Sequence, residues 1–304
     1  MRRGAGLALA ALLAASCGAV QTAAPERIAT PPPPPRPAEP PRDFDFHFEG
    51  VLTQGGLAVG TAPAGAIAVL LDGKSVELSR DGRFLIGFGR DAGPAARVEA
   101  RLADGSVFRQ PLRIIPRSWD IQSLPTLPRG TTPTPEFLRR RATELARINA
   151  ARAIHSDSQG WRERFLWPVT GPISGVFGSQ RIYAGEPGAP HGGVDIARPA
   201  GTPIVAPADG VVILAAEAPF TLEGNLLMID HGMGLNSAML HLSRIEVREG
   251  EHVTRGQRIG TIGATGRATG AHLHWGMKWR DERIDPQLLA GPMPMPVQAA
   301  GQGR

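Results

Sequence analysis

Turn-forming residues punctuate this chain so often that long helices have almost no room. Its 304 residues include 38 glycines and 29 prolines, and the apolar residues between them fall into short runs that alternate with polar ones. Gly and Pro both oppose helix interiors, whereas period-two alternation between turn signals is what a half-buried strand requires. A mainly β fold follows. Hydrophobic residues at 42% suffice for real cores, and the length allows two domains of ordinary size.

The first 24 residues have another character. MRRGAGLALAALLAASCGAV has two arginines, an apolar run and then small residues, the layout of a secretory signal. The run is too short to span a bilayer comfortably, so export to the periplasm or cell envelope is expected. Cys17 stands where a bacterial lipoprotein carries its lipidated residue, with Ala14 in place of the usual Leu. A lipid there would tie the protein to a membrane; plain cleavage near Ala23 or Ala24 is the alternative. Cys17 is the only cysteine, so no disulfide can form within the chain.

Residues 25–43 hold five consecutive prolines and read as a polyproline II spacer. Residues 44–128 alternate like strands, with DGK, RDGR and ADGS as tight hairpin turns, and suggest an immunoglobulin-like β-sandwich. That domain carries no constellation of chemical residues (His47 is isolated) and reads as a positioning module or a dock for a cell-envelope protein. Residues 129–164 form a helical connector. Thr134 can cap it, Pro135 suits its first position, and Phe137, Leu138, Leu145 and Ile148 give a partial apolar stripe with the arginines facing water. Strand and turn return over 165–290, a small antiparallel β domain, before a flexible tail at 291–304. The formal charge of +5 suits an anionic envelope polymer or membrane surface. No basic stripe interleaved with aromatics is present, which argues against nucleic acid.

Histidines concentrate in that last domain. In GAHLHWGMKW, His272 and His274 are two residues apart, so in a strand both face one cavity while Leu273 and Trp275 enter the core. HGGVD puts His191 and Asp195 four apart, with Gly192 and Gly193 giving the backbone freedom to bring both to one ion. Adding one histidine of HLH makes two nitrogens and one oxygen, which suits zinc and leaves a fourth tetrahedral position for water. The other histidine is then free to handle protons. His241, read mid-strand between Met239 and Ser243, could face the same cavity. His231 and His252 read as structural or exposed.

The spacing of HGGVD, HLS and TGRATGAHLHW resembles the lysostaphin/LytM-type zinc endopeptidases of bacterial cell walls. The resemblance runs from about Trp167 to Pro286 and includes SGVFGSQR, GTPIVAPADGVV, GNLLMIDHG, GQRIGTIGATG and DPQLL. It implies one zinc per chain on His191, Asp195 and His274, with His272 and His241 as the catalytic pair, His272 being the candidate base. It also implies a peptidoglycan cross-link as substrate. An Ala-, Pro- and Arg-rich composition fits a Gram-negative source, where D-Ala–diaminopimelate bonds would be cut. The chain departs from the family at Met239, where Tyr is usual, so a hydroxyl is missing there. Relatives that have lost zinc ligands act as activators of other wall hydrolases, whereas here the ligand set is complete. VREGEHVTRGQRIGTIG resembles the hairpins of lipoyl carriers but lacks their lysine at the turn. The loop 180–190 or the helix around Ala142 could cover the metal.

Overall fold

The computed structural model describes residues 45–128, 130, 132–216 and 218–294. The signal, Cys17, the Pro-rich spacer and the tail from 295 onward lie outside the described residues. No described helix is long and apolar enough to cross a membrane.

Seven strands come first: β1 (His47–Gly50), β2 (Leu57–Thr61), β3 (Ala66–Leu71), β4 (Lys74–Val76), β5 (Arg83–Gly87), β6 (Ala95–Leu102) and β7 (Val107–Arg113). They form two antiparallel sheets, ordered β1-β2-β5 and β4-β3-β6-β7. Asp72 and Gly73 both take positive φ (48° and 80°) between the paired Leu71 and Lys74, the two-residue turn whose twist matches a hairpin. ADGS likewise joins the paired β6 and β7. RDGR does not close a hairpin: it joins β4 to β5, which lie in different sheets. Phe46, Phe48 and Phe84 pack edge-to-face or stacked at 5.9–6.1 Å, and Phe84 occupies the space a side chain on Gly60 would take.

A short strand, β8 (Ile121–Leu124), then leads to α1 (Pro135–Arg152). The Thr134 hydroxyl accepts from the Phe137 N–H and Pro135 opens the helix, as local sequence predicts. The buried face differs from the expected stripe. Glu144, Ile148 and Ala151 are inside, while Leu138 and Leu145 are exposed. Arg141 does not face water. Its guanidinium grips both oxygens of Glu223 at 2.6 Å and reaches Glu144 at 3.1 Å, and Glu144 accepts from the N–H and hydroxyl of Thr221. A loop distant in sequence supplies the partners that set the helix's rotation.

The remaining elements are β9 (Ile173–Gly175), β10 (Gln180–Tyr183), β11 (Glu186–Pro187), β12 (Gly193–Ala197), β13 (Pro203–Val205), β14 (Gly210–Ala215), β15 (Asn225–Asp230), β16 (Leu235–Ile245), β17 (His252–Val253), β18 (Arg258–Ile262), β19 (His272–Trp279), β20 (Glu282–Ile284) and the short α2 (Pro286–Ala290). The main sheet runs β17-β14-β15-β16-β19-β12-β9, with β13, β18 and β20 paired beside it. Along β19, Leu273, Trp275, Met277 and Trp279 are buried while His272, His274 and Lys278 are not. Each large apolar side chain so buried contributes roughly 1.5–3 kcal/mol, so a one-residue slip of this strand is strongly disfavoured.

One continuous apolar cluster includes both the N-terminal sheets and this larger sheet. The segment joining them is held on two sides. Arg117 pairs with the buried Asp285 at 2.9 Å, and β8 pairs in parallel with β10. Residues 180–187 therefore form a hairpin laid against β8.

Candidate metal centre

β12 and β19 are antiparallel neighbours, and Asp195 lies directly opposite His274. Cross-strand partners share a face, so the carboxylate and the imidazole meet because the register places them there. His191 precedes β12, and a separate loop holds it. Its N–H donates to Ser179, its carbonyl accepts from Gly178, and its ring Nδ1 lies 3.1 Å from the Val176 carbonyl. A carbonyl only accepts, so Nδ1 carries the proton and Nε2 points its lone pair at the other two groups.

The three donor atoms form a tight triangle. His191 Nε2 is 3.1 Å from Asp195 Oδ1 and 3.1 Å from His274 Nδ1, and His274 Nδ1 is 2.8 Å from Asp195 Oδ1. Donors on a tetrahedral zinc at 2.0–2.2 Å would stand about 3.3–3.6 Å apart, within several tenths of an ångström of this arrangement. With His191 neutral, its Nε2 and the Asp195 oxygen are two acceptors at 3.1 Å. That contact is tenable only with a cation between them or a second proton on the imidazole. The groups can hold a metal ion, and their chemistry fits one.

Electrostatics agree with the geometry. Burial works against charge on Asp195, yet hydrogen bonds from His191 and His274 hold its carboxyl far below the usual range. His274 is pushed down by burial and by His191's charge, against the pull of Asp195. His191 is likewise penalised by burial, but its hydrogen bond to Asp195 carries it above the ordinary value. The side chains of His191, Asp195, His272 and His274 keep 15–23% of their surface exposed, so the cluster is open to small molecules.

His241 and His272 stand beside the triangle with ring centroids 4.8 Å apart. Nδ1 of His241 lies 2.8 Å from the Thr265 carbonyl, and Nδ1 of His272 lies 2.9 Å from that of Gly270, so in the neutral ring of each Nε2 is the acceptor. The Nε2 of His272 is 3.9 Å from Asp195 Oδ1. Burial lowers the pKa of His241, despite its bond to Thr265.

His241 reaches this cavity by a different route from simple alternation. Met239 is fully buried opposite Trp275, and Leu240 lies opposite His274, so an unbroken strand would turn His241 into the core. Instead His241 has φ of 64°, its N–H donates to Glu223, and the pairing of β16 shifts register just beyond it. The left-handed residue swings the imidazole to the other face, a device bulges commonly provide. Met239 is therefore a core residue, on the face of the sheet away from His274.

The glycines of HGGVD also act differently from expectation. Neither takes a positive φ; they provide room. A Cβ on Gly193 would stand 2.4 Å from the Trp275 carbonyl and 2.9 Å from His274 Nε2, and one on Gly192 would stand 1.9 Å from Arg283 Nη1. His231 is fully buried, its ring bridging the Asp209 carbonyl and the Ser237 hydroxyl, while His252 is exposed and His47 lies on β1, far along the chain from the triangle. The carbonyls of Val176, Thr265 and Gly270, which set three imidazole tautomers, have no signature in sequence because main-chain groups occur at every residue.

Comparison with known proteins meets this geometry. The profile of peptidase family M23 matches residues 189–286, the span that contains all five of these side chains. The peptidoglycan DD-endopeptidase ShyA of Vibrio cholerae is 41% identical over 122 residues, 40% of this chain and 28% of that protein. The DD-carboxypeptidase/endopeptidase Mpg of Neisseria meningitidis is 39% identical over 109 residues, 36% of this chain and 25% of that protein. The chain thus spans only about a quarter of the length of these curated relatives. A peptidase M23 crystal structure from Pseudomonas aeruginosa is matched far more fully, at 31% identity over 80% of this chain and 96% of that one, with a TM-score of 0.61. A likeness that extends through both sheet systems as well as the histidine cluster leaves one assignment: the chain belongs to peptidase family M23.

Proposed function

We propose that the protein is a zinc-dependent endopeptidase that hydrolyses peptide cross-links of peptidoglycan, at D-Ala–diaminopimelate bonds. The donor triangle of His191, Asp195 and His274, with two unprotonated imidazole nitrogens beside it, carries this reading. These three residues would hold one zinc per chain. When bound, zinc supplies Lewis-acid polarisation of a carbonyl and makes a nucleophile available from water near neutral pH.

The chain's own residues do the rest. His272 accepts a proton at Nε2, since Nδ1 is committed to Gly270, and the Asp195 carboxylate 3.9 Å away offsets the charge it gains. His241 has the same tautomer and greater burial. It can donate to a developing oxyanion only after taking a proton itself, so His272 is the better base and His241 the second proton-handling group. The name of the ShyA relative supports peptidoglycan as substrate, and both the ShyA and Mpg names support a D,D bond. An exported, envelope-located enzyme accords with that substrate, and a lipid on Cys17 would keep it at a membrane. The N-terminal strand orders, three in one sheet and four in the other, support an immunoglobulin-like sandwich that shares its core with the larger sheet and serves as a positioning or docking module.

The test is digestion of purified sacculi by the full chain. Cross-linked muropeptides should be released, the release should stop with chelator and return with zinc, and bound zinc should approach one per chain. His272→Ala should keep the zinc and lower the rate on the order of 100-fold or more. Wild-type protein that binds zinc yet releases nothing would point to an activator of other hydrolases instead.

A further inference from the structure

A cavity of about 150 Å³ lies between α1 and the sheet face that carries His274, lined by His274, Gly276 and Lys278 of β19 and by Asn236 of β16. A water takes about 30 Å³ in the liquid, so the space admits one amino-acid-sized group. Its charge is one-sided. Arg141 and Glu223 at its edge neutralise each other through two 2.6 Å bonds. Arg152, Lys278 and Arg283 remain. Among the described residues neither Arg152 nor Arg283 makes a close ion pair with a carboxylate, Glu223 attracting Arg152 only from a distance, and Lys278 reaches only the fully exposed Asp281, at 3.8 Å. Burial, and then Arg283's charge, lower the pKa of Arg152; burial, and then Arg152's charge, lower that of Lys278. Three cations held together against mutual repulsion call for an anion.

Two polar atoms narrow the choice of anion. Arg152 Nε, a donor, and Asn236 Oδ1, an acceptor, are buried without partners, and Asn236 is only 5% exposed. Buried polar atoms are seldom left unpaired. A carboxylate beside an amide supplies acceptors for the cations and an N–H for Asn236. Gly192 belongs to the same design, because its missing side chain admits the Arg283 guanidinium.

We propose that this cavity is a subsite for a free carboxylate of the peptide substrate, held by Arg152, Lys278 and Arg283, with Asn236 accepting the neighbouring amide N–H. It rests on the hydrolase reading above, and His274, which belongs both to the donor triangle and to the cavity wall, places the carboxylate next to the bond to be cut. The experiment uses the zinc-loaded full chain and a synthetic peptide with a D-alanyl–diamino acid cross-link, its carboxylates either free or amidated. Calorimetric titration should show the free acid binding on the order of tenfold more tightly than the amide. Arg283→Gln and Lys278→Gln should erase that difference, raise KM for the free acid and leave kcat and zinc content near wild type. Equal wild-type affinity for the two peptides, or variants that keep the preference, would overturn the subsite. The binding ratio is also read on zinc-loaded His272→Ala, where turnover is slow, so absence of hydrolysis would count against the hydrolase reading alone.

Discussion

Gly193→Ala is the sharpest perturbation of the centre, because the clash is with atoms that cannot move separately. The new Cβ would meet the Trp275 carbonyl oxygen at 2.4 Å, the Gly276 Cα at 2.9 Å and His274 Nε2 at 2.9 Å. Ordinary contact needs about 3.4 Å or more, so β12 and β19 must separate by something near 1 Å or His274 must tilt. Overpacking of this kind costs typically 1–3 kcal/mol and occasionally more; two main-chain clashes put it near the top, about 3 kcal/mol. The reduced freedom of the unfolded chain offsets about 0.4–1 kcal/mol of that. In thermal unfolding the midpoint should fall by roughly 5–10 °C, and zinc affinity in a chelator competition should drop about 10- to 100-fold as the ring leaves its place. Gly192→Ala is the control. Its clash, at 1.9 Å, is with the flexible end of Arg283, so stability should change by less than about 1 kcal/mol. A Gly193→Ala protein with wild-type midpoint and zinc affinity would refute the packing argument.

Two further perturbations follow from buried groups. Burial holds His231 at a pKa of about 4, against about 6.5 when unfolded. The unfolded chain therefore binds the extra proton first, and stability is lost as pH falls from about 6.5 toward 4, by roughly 3 kcal/mol in all; His231→Gln should flatten the urea midpoint against pH across that window relative to wild type. Arg117→Ala removes the partner of Asp285, whose carboxyl burial already pushes up despite the guanidinium. Orphaning that buried charge should cost about 3 kcal/mol, seen as a lower urea midpoint at neutral pH that partly recovers as acid protonates Asp285.

Sequence periodicity is informative where a residue's surroundings repeat locally. Along β19 the alternation of His272, Leu273, His274 and Trp275 is legible because one face is core and the other is not. The cap of α1 is legible for the same reason: Thr134 answers to Phe137 three residues on. Its rotation is not, since Arg141 and Glu144 answer to Glu223 and Thr221, about 80 residues away. His241 shows where alternation misleads. Alternation brings it to the cavity only if Met239 is there too, and Met239 is core; the turn comes from a single left-handed residue whose partners are at Glu223 and Thr265. Lys278 lies four residues beyond His274 on the same face and was within reach of the alternation argument. Arg152 and Arg283, from a helix and another strand, were not.

The loop that grips His191 is itself gripped from outside the matched span. Gly178, at φ 81°, lies so close to Trp119 that a Cβ would sit 2.2 Å from the indole. Its carbonyl accepts from Arg90 Nε at 2.8 Å, and both Arg90 and Arg117 stack on that indole. An excised fragment beginning at residue 189 would carry every donor of the triangle yet leave behind the scaffolding that aims the first of them, so a fragment that keeps His191 in place should start well upstream, with the arginine–tryptophan brace intact.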